Sequence, residues 1–417
     1  MSPASAVVDL APAPLRVIGQ DVPVPLADGR SVPYANLDYA ASAPCLETVR
    51  AAIDAALPYY SSVHRGAGHA SQVTTDRYER ARDTVRAFVG AWRRDAVVFT
   101  RNTTDAMNLL AHALPQGTTV VVFESEHHAT LLPWQRGGRV VRLPAPVSPS
   151  AAVAAADEAL ASAPAGPRLL VVTAASNVTG ELWPVAELAR VAREHGARVA
   201  VDAAQLVPHR PLDMTALDVD YVAFSGHKLY APFGAGCLVG RADWLRAAEP
   251  YLFGGGATAS VGDQVVWATD PEARHEAGTP NVLGVVALAA ACEALTDWDT
   301  LIAEEERLLA RLRTGLAAIP GVRELSLWGD LSPRVGIVSF VVDGRSARDV
   351  ATELSEKYGI GLRDGKFCAH PFLRRLLGEG AGGCDDGDGT ALRASFGIGT
   401  TDRHIDRLLT ALRRIGH

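Results

Sequence analysis

The sequence predicts an α/β protein: a mostly parallel sheet covered by helices, joined to a smaller α+β unit. Three observations carry the α/β expectation. Short β-branched runs at 96–100, 119–123, 169–173, 198–201 and 221–225 are separated by helix-length intervals, the pattern of parallel strands buried on both faces. A composition of 48% hydrophobic and 21% charged residues is that of an ordinary globular chain and excludes disorder, collagen-like repeats and a small disulfide scaffold. At 417 residues the chain is long for one core, so two or three domains are expected.

Taken in order, residues 1–35 are rich in Pro and Ala and include an Asp28-Gly29 turn, which suggests a loosely structured arm packed on something larger. Residues 36–295 hold the alternating strands and helices of the large domain, ending in the apolar, Ala-rich stretch 282–295, which reads as a buried helix. Residues 296–417 form a second pattern. An amphipathic helix over 302–316 leads to a strand at 336–342. A helix then opens at Ser346, with Asp349 in capping-box spacing, and the last strand is 391–396. The Gly/Asp-rich run 378–389 reads as a mobile surface loop.

A formal charge of -7 leaves no general footprint for phosphate backbones, so nucleic acid is not an expected partner. The five cysteines, Cys45, Cys237, Cys292, Cys368 and Cys384, fit neither a disulfide framework nor a zinc spacing. No metal site is expected. The first residues lack the basic start and sustained apolar run of a secretory signal, and no apolar stretch is long enough to cross a bilayer. A cytoplasmic setting follows as the expectation.

In open α/β sheets ligands sit at the carboxyl ends of the strands. The polar residues there are Asn102-Thr103-Thr104, Glu126-His127-His128, Ser176-Asn177, Asp202, Gln205, and Ser225-Gly226-His227-Lys228. Only 3 of the 40 basic residues are lysines, leaving 37 arginines. A retained Lys228 invites chemistry that arginine cannot do, since only lysine deprotonates to attack a carbonyl. It reads either as an imine-forming lysine, with Asp202 placed for a pyridinium nitrogen, or as a surface lysine in a loop. Thr103 and Thr104 open a helix and suit a phosphate as well as a simple cap. Glu126-His127-His128 lacks any accompanying metal spacing, so one histidine stacks on a flat cofactor or both are structural. The segment 234–240 spaces its glycines as G-x-G-x-x-x-G, not as a dinucleotide loop. Cys368, near Arg363 and Lys366, is by residue type either an activated thiol or a small buried hydrophobe.

The ordered set NLDYAASAP, VHRGAGH, RNTTDAMN, ESEHHATLLPWQ, SNVTGEL, VDAAQLVPH, FSGHKLYAPFGAG, HEAGTPN, RDGKFCAHP and LRASFGIGT resembles the class V aminotransferase and cysteine desulfurase family. It is most similar to the group that includes selenocysteine lyases. The resemblance runs from about residue 36 to the C-terminus. It implies a homodimeric enzyme of the aspartate aminotransferase-type (fold type I) α/β fold, using pyridoxal 5'-phosphate. By that resemblance Lys228 forms the imine with the cofactor, Asp202 pairs with its pyridine nitrogen, His127 stacks on its ring and Gln205 addresses its phenolic oxygen. Thr103, Thr104, Ser225 and His227 hold the phosphate, with Thr279 supplied by the partner subunit. Asn177 and Arg393 address the substrate carboxylate, His64 lines the pocket, and Arg363 lies near the cysteine loop.

Cys368 matches the position of the thiol that attacks the substrate sulfur and becomes a persulfide. The implied reaction is removal of sulfur from L-cysteine to give alanine, with a sulfur-acceptor protein as a further partner. The alternatives are a carbon-sulfur β-lyase acting on a cysteine derivative, an aminotransferase or an epimerase with Cys368 as a bystander, and, from another class, a non-catalytic binding protein. This chain departs from the pattern at Asp364-Gly365-Lys366-Phe367, where relatives often carry histidines, and in the 378–389 insertion.

Overall fold

The computed structural model describes residues 15–136, 139–378 and 389–415. Seven strands form the large sheet: β1 (Ala96–Thr100), β2 (Thr119–Phe123), β3 (Arg139–Leu143), β4 (Arg168–Thr173), β5 (Arg198–Asp202), β6 (Tyr221–Ser225) and β7 (Gly236–Gly240). Their spatial order is β1-β7-β6-β5-β4-β2-β3. The neighbours from β6 through β5, β4 and β2 to β3 pair in parallel. Only β7 runs antiparallel, between β1 and β6. The Val-rich interiors of β2, β4, β5 and β6 are buried along nearly their whole length. That burial explains why they read as continuous apolar runs and not as alternating ones.

Two strands of this sheet differ from the expectation. β3 is an edge strand with Arg139 and Arg142 both exposed, charges that an edge tolerates. β7 lies inside the stretch compared with a dinucleotide loop, yet it is buried throughout. Its glycines serve close approach: a Cβ on Gly236 would lie 2.7 Å from the Asn102 Cα.

The second sheet contains β8 (Val322–Glu324), β9 (Ile337–Val342), β10 (Arg363–Gly365) and β11 (Ala391–Ser395) in the antiparallel order β8-β9-β11-β10. Helices Trp298–Ala317, Ala347–Tyr358 and Asp402–Ile415 share its core with Phe340, Leu354, Phe396 and Leu408. The Ser346 hydroxyl accepts from the Asp349 amide at 3.1 Å, the cap its spacing predicts. The expected mobile loop lies, from 379 to 388, outside the described residues.

The N-terminal arm from residue 15 is tied to this second unit. The Asp28-Gly29 turn joins a hairpin of Pro23–Pro25 and Ser31–Pro33. Ala35–Asn36 then pairs with Ile360–Gly361, and Ala35 and Leu37 enter the small core. The buried core around the large sheet runs to Leu295. Among the described residues no helix is long and apolar enough to cross a membrane. The chain thus presents the carboxyl ends of the parallel strands to β10, β11 and the turn that follows β10.

Candidate active site

A cavity of about 530 Å³ lies where the two units meet. Its wall contains Thr103, Thr104, His127, Asn177, Asp202, Gln205, Ser225, His227, Lys228, Arg363, Cys368 and Arg393. Residues spread over most of the chain converge because each lies on a strand of one of the two sheets or soon after one.

On the floor, Asp202 ends β5. Its carboxylate accepts from the Thr130 hydroxyl at 2.5 Å and from the Ala204 amide at 2.9 Å, which fixes its orientation. Behind it Glu126 is fully buried, with one oxygen accepting from the Thr173 amide at 2.9 Å and the other unpartnered. Burial, with the Asp202 charge nearby, pushes the Glu126 carboxyl well above its usual range. His127 opens the turn 128–131, and its Nδ1 accepts from the Ala129 amide at 3.0 Å. This bond places the ring proton on Nε2. Burial, reinforced by Lys228, His128 and Arg393, lowers the His127 pKa to about 3. The ring is therefore a neutral plane at any working pH.

At one end the helix Thr103–Ala113 begins with Asn102 as its cap, accepting from the Asp105 amide at 3.1 Å. The Thr103 amide donates to Ser225 Oγ at 2.8 Å, and the two hydroxyls stand 2.7 Å apart. A helix N-terminus flanked by hydroxyls is suited to a phosphate, and Gly236 keeps the space that lets β7 approach it. His227 contacts Ser42 at 3.4 Å, and burial lowers its pKa. Gln205 donates to the Ala40 carbonyl at 2.8 Å.

Lys228 follows β6. Burial of its ammonium is the main cause that lowers its pKa to about 8, against the opposing pull of Asp202. Arg393 sits in the middle of β11, donating to the Asn177 carbonyl at 2.9 Å and to Asp38 at 3.3 Å. It also lies over the Phe367 ring, 5.1 Å from its centroid, and its buried Nε has no partner. Asn177 acts as a strut here, donating one amide hydrogen to the Phe367 carbonyl at 2.8 Å. Arg363 approaches Asp38 at 3.8 Å. Burial raises the Asp38 pKa in spite of both arginines.

Cys368 is exposed at the mouth of this cavity. Phe367 and Cys368 are both left-handed, with φ of 52° and 53°, a costly pair for side-chain-bearing residues. Its carbonyl accepts from the His128 amide at 2.8 Å, so the turn is pinned to the floor of the site.

Two expected residues stand elsewhere in the chain. His64 does not line the Lys228 cavity. Its left-handed backbone, φ 62°, turns the ring to Glu79 at 2.8 Å. There it shares a second cavity with Gly278 and Pro280, and the intervening Thr279 is exposed. The motifs VHRGAGH and HEAGTPN thus meet each other and not Lys228.

Thr130, Asp38 and Arg348 are site residues that the sequence reading did not single out. The first two lie in quoted motifs, ESEHHATLLPWQ and NLDYAASAP, where only the fold reveals their partners. Arg348 had no local signal at all.

A model of the family described as Aminotransferase class-V matches residues 35–408. The chain belongs to this family. The class-V chain is similar to a cysteine desulfurase of Klebsiella pneumoniae (strain 342), at 37% identity over 95% of this chain and 96% of the relative. It is also similar to a probable cysteine desulfurase of Halobacterium salinarum, at 36% identity over 96% of each. Among solved structures, the cysteine desulfurase CsdA from Escherichia coli superposes with a TM-score of 0.78 at 35% identity, covering 91% of this chain and 94% of that one. The apo cysteine desulfurase from Thermococcus onnurineus NA1 gives a TM-score of 0.81 at 31% identity, covering 92% and 94%. The architecture is the fold type I arrangement that the motifs implied.

Proposed function

We propose that this class-V protein is a pyridoxal-phosphate-dependent cysteine desulfurase that passes sulfur to Cys368. The observation that carries the reading is the meeting of Cys368 and Lys228 in one cavity with a fixed carboxylate, a neutral imidazole and a hydroxyl-flanked helix N-terminus. This donor set fits the cofactor group by group. Lys228 would hold its aldehyde carbon, Asp202 its ring nitrogen, His127 its ring face and Gln205 its phenolic oxygen. Thr103, Thr104, Ser225 and His227 would hold its phosphate.

When bound, the cofactor supplies an electron sink for the pair released at the substrate α-carbon. Arg393, held in the cavity wall by Asn177 and Asp38, offers its guanidinium to the substrate carboxylate. Lys228, with a pKa near 8, carries protons between substrate carbons as the amine and ammonium forms interchange. Cys368 Sγ attacks the substrate sulfur. A sulfur–sulfur bond forms as the carbon–sulfur bond breaks, and the electron pair of the broken bond stays with carbon, which takes a proton. Alanine and a persulfide on Cys368 result.

The direct test incubates cofactor-loaded protein with L-cysteine and a reducing thiol. Alanine and sulfide in equal amounts are expected. Pyruvate and ammonia in their place would reassign the protein as a β-lyase.

A pH experiment reads Lys228. Below about pH 8 the amine is mostly protonated and cannot attack an aldehyde. Incorporation of pyridoxal phosphate into apoprotein should therefore slow by roughly tenfold per pH unit below 8 and level off above it. Between pH 8 and the ordinary lysine value of 10.5 the unfolded chain binds this proton and the folded one does not, so Lys228's contribution to apoprotein stability rises with pH across that window. A flat incorporation rate from pH 6 to 9 would contradict the assignment.

The active unit in this reading is a homodimer. Thr279 is exposed and absent from this chain's own cavity. The nearby hairpin of Thr258–Val261 and Val265–Trp267 exposes Val261 and Val266, next to Phe253, which packs on Trp267. A second copy would cover these apolar side chains and bring Thr279 to the phosphate. The four described cysteines are all free thiols, in keeping with a cytoplasmic setting.

A further inference from the structure

We propose that Asp38 is a specificity-determining residue: it is the resident counter-ion of two opposed arginines, and it restricts the cavity to substrates whose side chain carries no negative charge. The proposal rests on the reading of Arg393 as the partner of the substrate carboxylate, and it adds the class of amino acid that the site turns away.

Arg363 and Arg393 stand directly opposite each other, in register, on β10 and β11. Both line the Lys228 cavity. Residues paired in this way across antiparallel strands share one face of the sheet, and like charges so placed repel. A third element relieves the pair. The N-terminal arm runs Asp38 alongside Ser395, two residues beyond Arg393 on β11. The two oxygens of Asp38 divide between the arginines, Oδ1 facing Arg393 at 3.3 Å and Oδ2 facing Arg363 at 3.8 Å. The backbone of Asp38 is fixed independently of this carboxylate. Its amide donates to Asn36 Oδ1 at 3.1 Å, and its carbonyl accepts from the Ala41 amide at 3.1 Å.

The other charges of the cavity wall are engaged. Asp202 and Lys228 are assigned to the cofactor, Arg348 contacts Asp364 at 3.2 Å, and Lys366 is not free either. Arg363, Arg393 and Asp38 then form a group of two positive charges and one negative. The single carboxylate of an amino acid cancels the remaining positive charge at Arg393. A second anionic group on the substrate would find Arg363 already shared with Asp38, and would bring a like charge close to that carboxylate. An uncharged side chain such as the CH2–SH of cysteine meets no such penalty. Specificity of this kind comes from the unfavourable interaction with the wrong ligand as much as from contacts with the right one.

The test titrates cofactor-loaded protein with L-asparagine and L-aspartate, which match in size and differ in side-chain charge. Dissociation constants are read from the change in the visible band, so no turnover is needed. Wild type should bind asparagine about tenfold more tightly than aspartate. Asp38→Asn retains the backbone bonds of the arm and an oxygen for one arginine, and should cut this ratio by about tenfold. Arg363→Ala, which leaves the Asp38 charge less compensated, should raise the ratio instead.

The ratio is the informative quantity. If Asp38 served only to hold Arg393 in place, its replacement would weaken both amino acids alike and leave their ratio where it was. A wild-type ratio near one would overturn the proposal. So would a ratio unmoved by Asp38→Asn, or by Arg363→Ala where the first variant does not load cofactor. Failure of wild type to bind either amino acid would remove the assignment of Arg393 to the substrate carboxylate, and the proposal with it.

Discussion

Cys368→Ala protein should release sulfide from L-cysteine at least on the order of 10³-fold more slowly than wild type, because the attacking nucleophile is gone and, among the described residues, no other cysteine lines the cavity. The same protein should fold and bind cofactor normally. The Cys368 side chain is exposed. The groups that would hold the cofactor are oriented by other partners: Asp202 by Thr130 and Ala204, His127 by Ala129, and Ser225 by Thr103. The turn around the cysteine is fixed through backbone carbonyls, which alanine retains. The measurement pairs sulfide assay with the visible spectrum of the loaded protein. An unchanged spectrum with lost turnover is the expected result. Sulfide release at the wild-type rate would show that Cys368 is a bystander, and the chemistry would then belong to a different branch of the family.

Lys228→Ala is the second large effect, and its signature differs. Loss of a positioned proton carrier alone costs about 10²–10⁴-fold, and loss of the covalent anchor comes on top. Sulfide release should fall below detection, and the absorption band of a lysine-bound cofactor should be missing as well. Stability should move the other way. In the apoprotein Lys228 is desolvated enough to bring its pKa down to about 8, so its charged form is disfavoured by the fold at neutral pH. Removing it should leave the apoprotein melting temperature unchanged or slightly raised near pH 7. A strongly destabilised Lys228→Ala apoprotein would mean that the side chain is a packing element and not a poised amine. The two variants together separate the roles: one keeps the cofactor and loses the acceptor of sulfur, the other loses the cofactor's anchor.

The parallel strands were legible because a strand buried on both faces must be apolar along its whole length, and that is a local property of five or six residues. The expected runs at 96–100, 119–123 and 221–225 coincide with strands β1, β2 and β6. β3 was not legible, since an edge strand with Arg139 and Arg142 has no apolar signature. β7 was hidden by glycines that exist to let Asn102 and Asp220 approach its backbone, a reason that lies in other parts of the chain. The single antiparallel strand in the large sheet was therefore invisible beforehand.

The site divides along the same line. Asp202, Ser225 and Lys228 could be named from sequence because ligands gather at the carboxyl ends of parallel strands, so position after a strand is enough. The scarcity of lysine made Lys228 stand out further. By residue type alone, Cys368 remained either a buried hydrophobe or a nucleophile. Its place opposite Lys228 depends on β10 and β11 pairing beside the large sheet and on the His128 amide holding its carbonyl. His64 shows the reverse: its motif pointed to the pocket, and a left-handed turn carries it to Glu79 in a second cavity.

By itself the sequence determined the α/β class, five of the large sheet's seven strands and the residues that end them, because periodicity, burial and strand-end position are encoded within a few residues. Tertiary structure alone decided which of those residues share a cavity, how Arg393 and Asp202 are braced, and that Lys228 is buried enough to lose its proton near pH 8. Distances, desolvation and summed charge are properties of groups brought together by long-range packing, and no local pattern carries them.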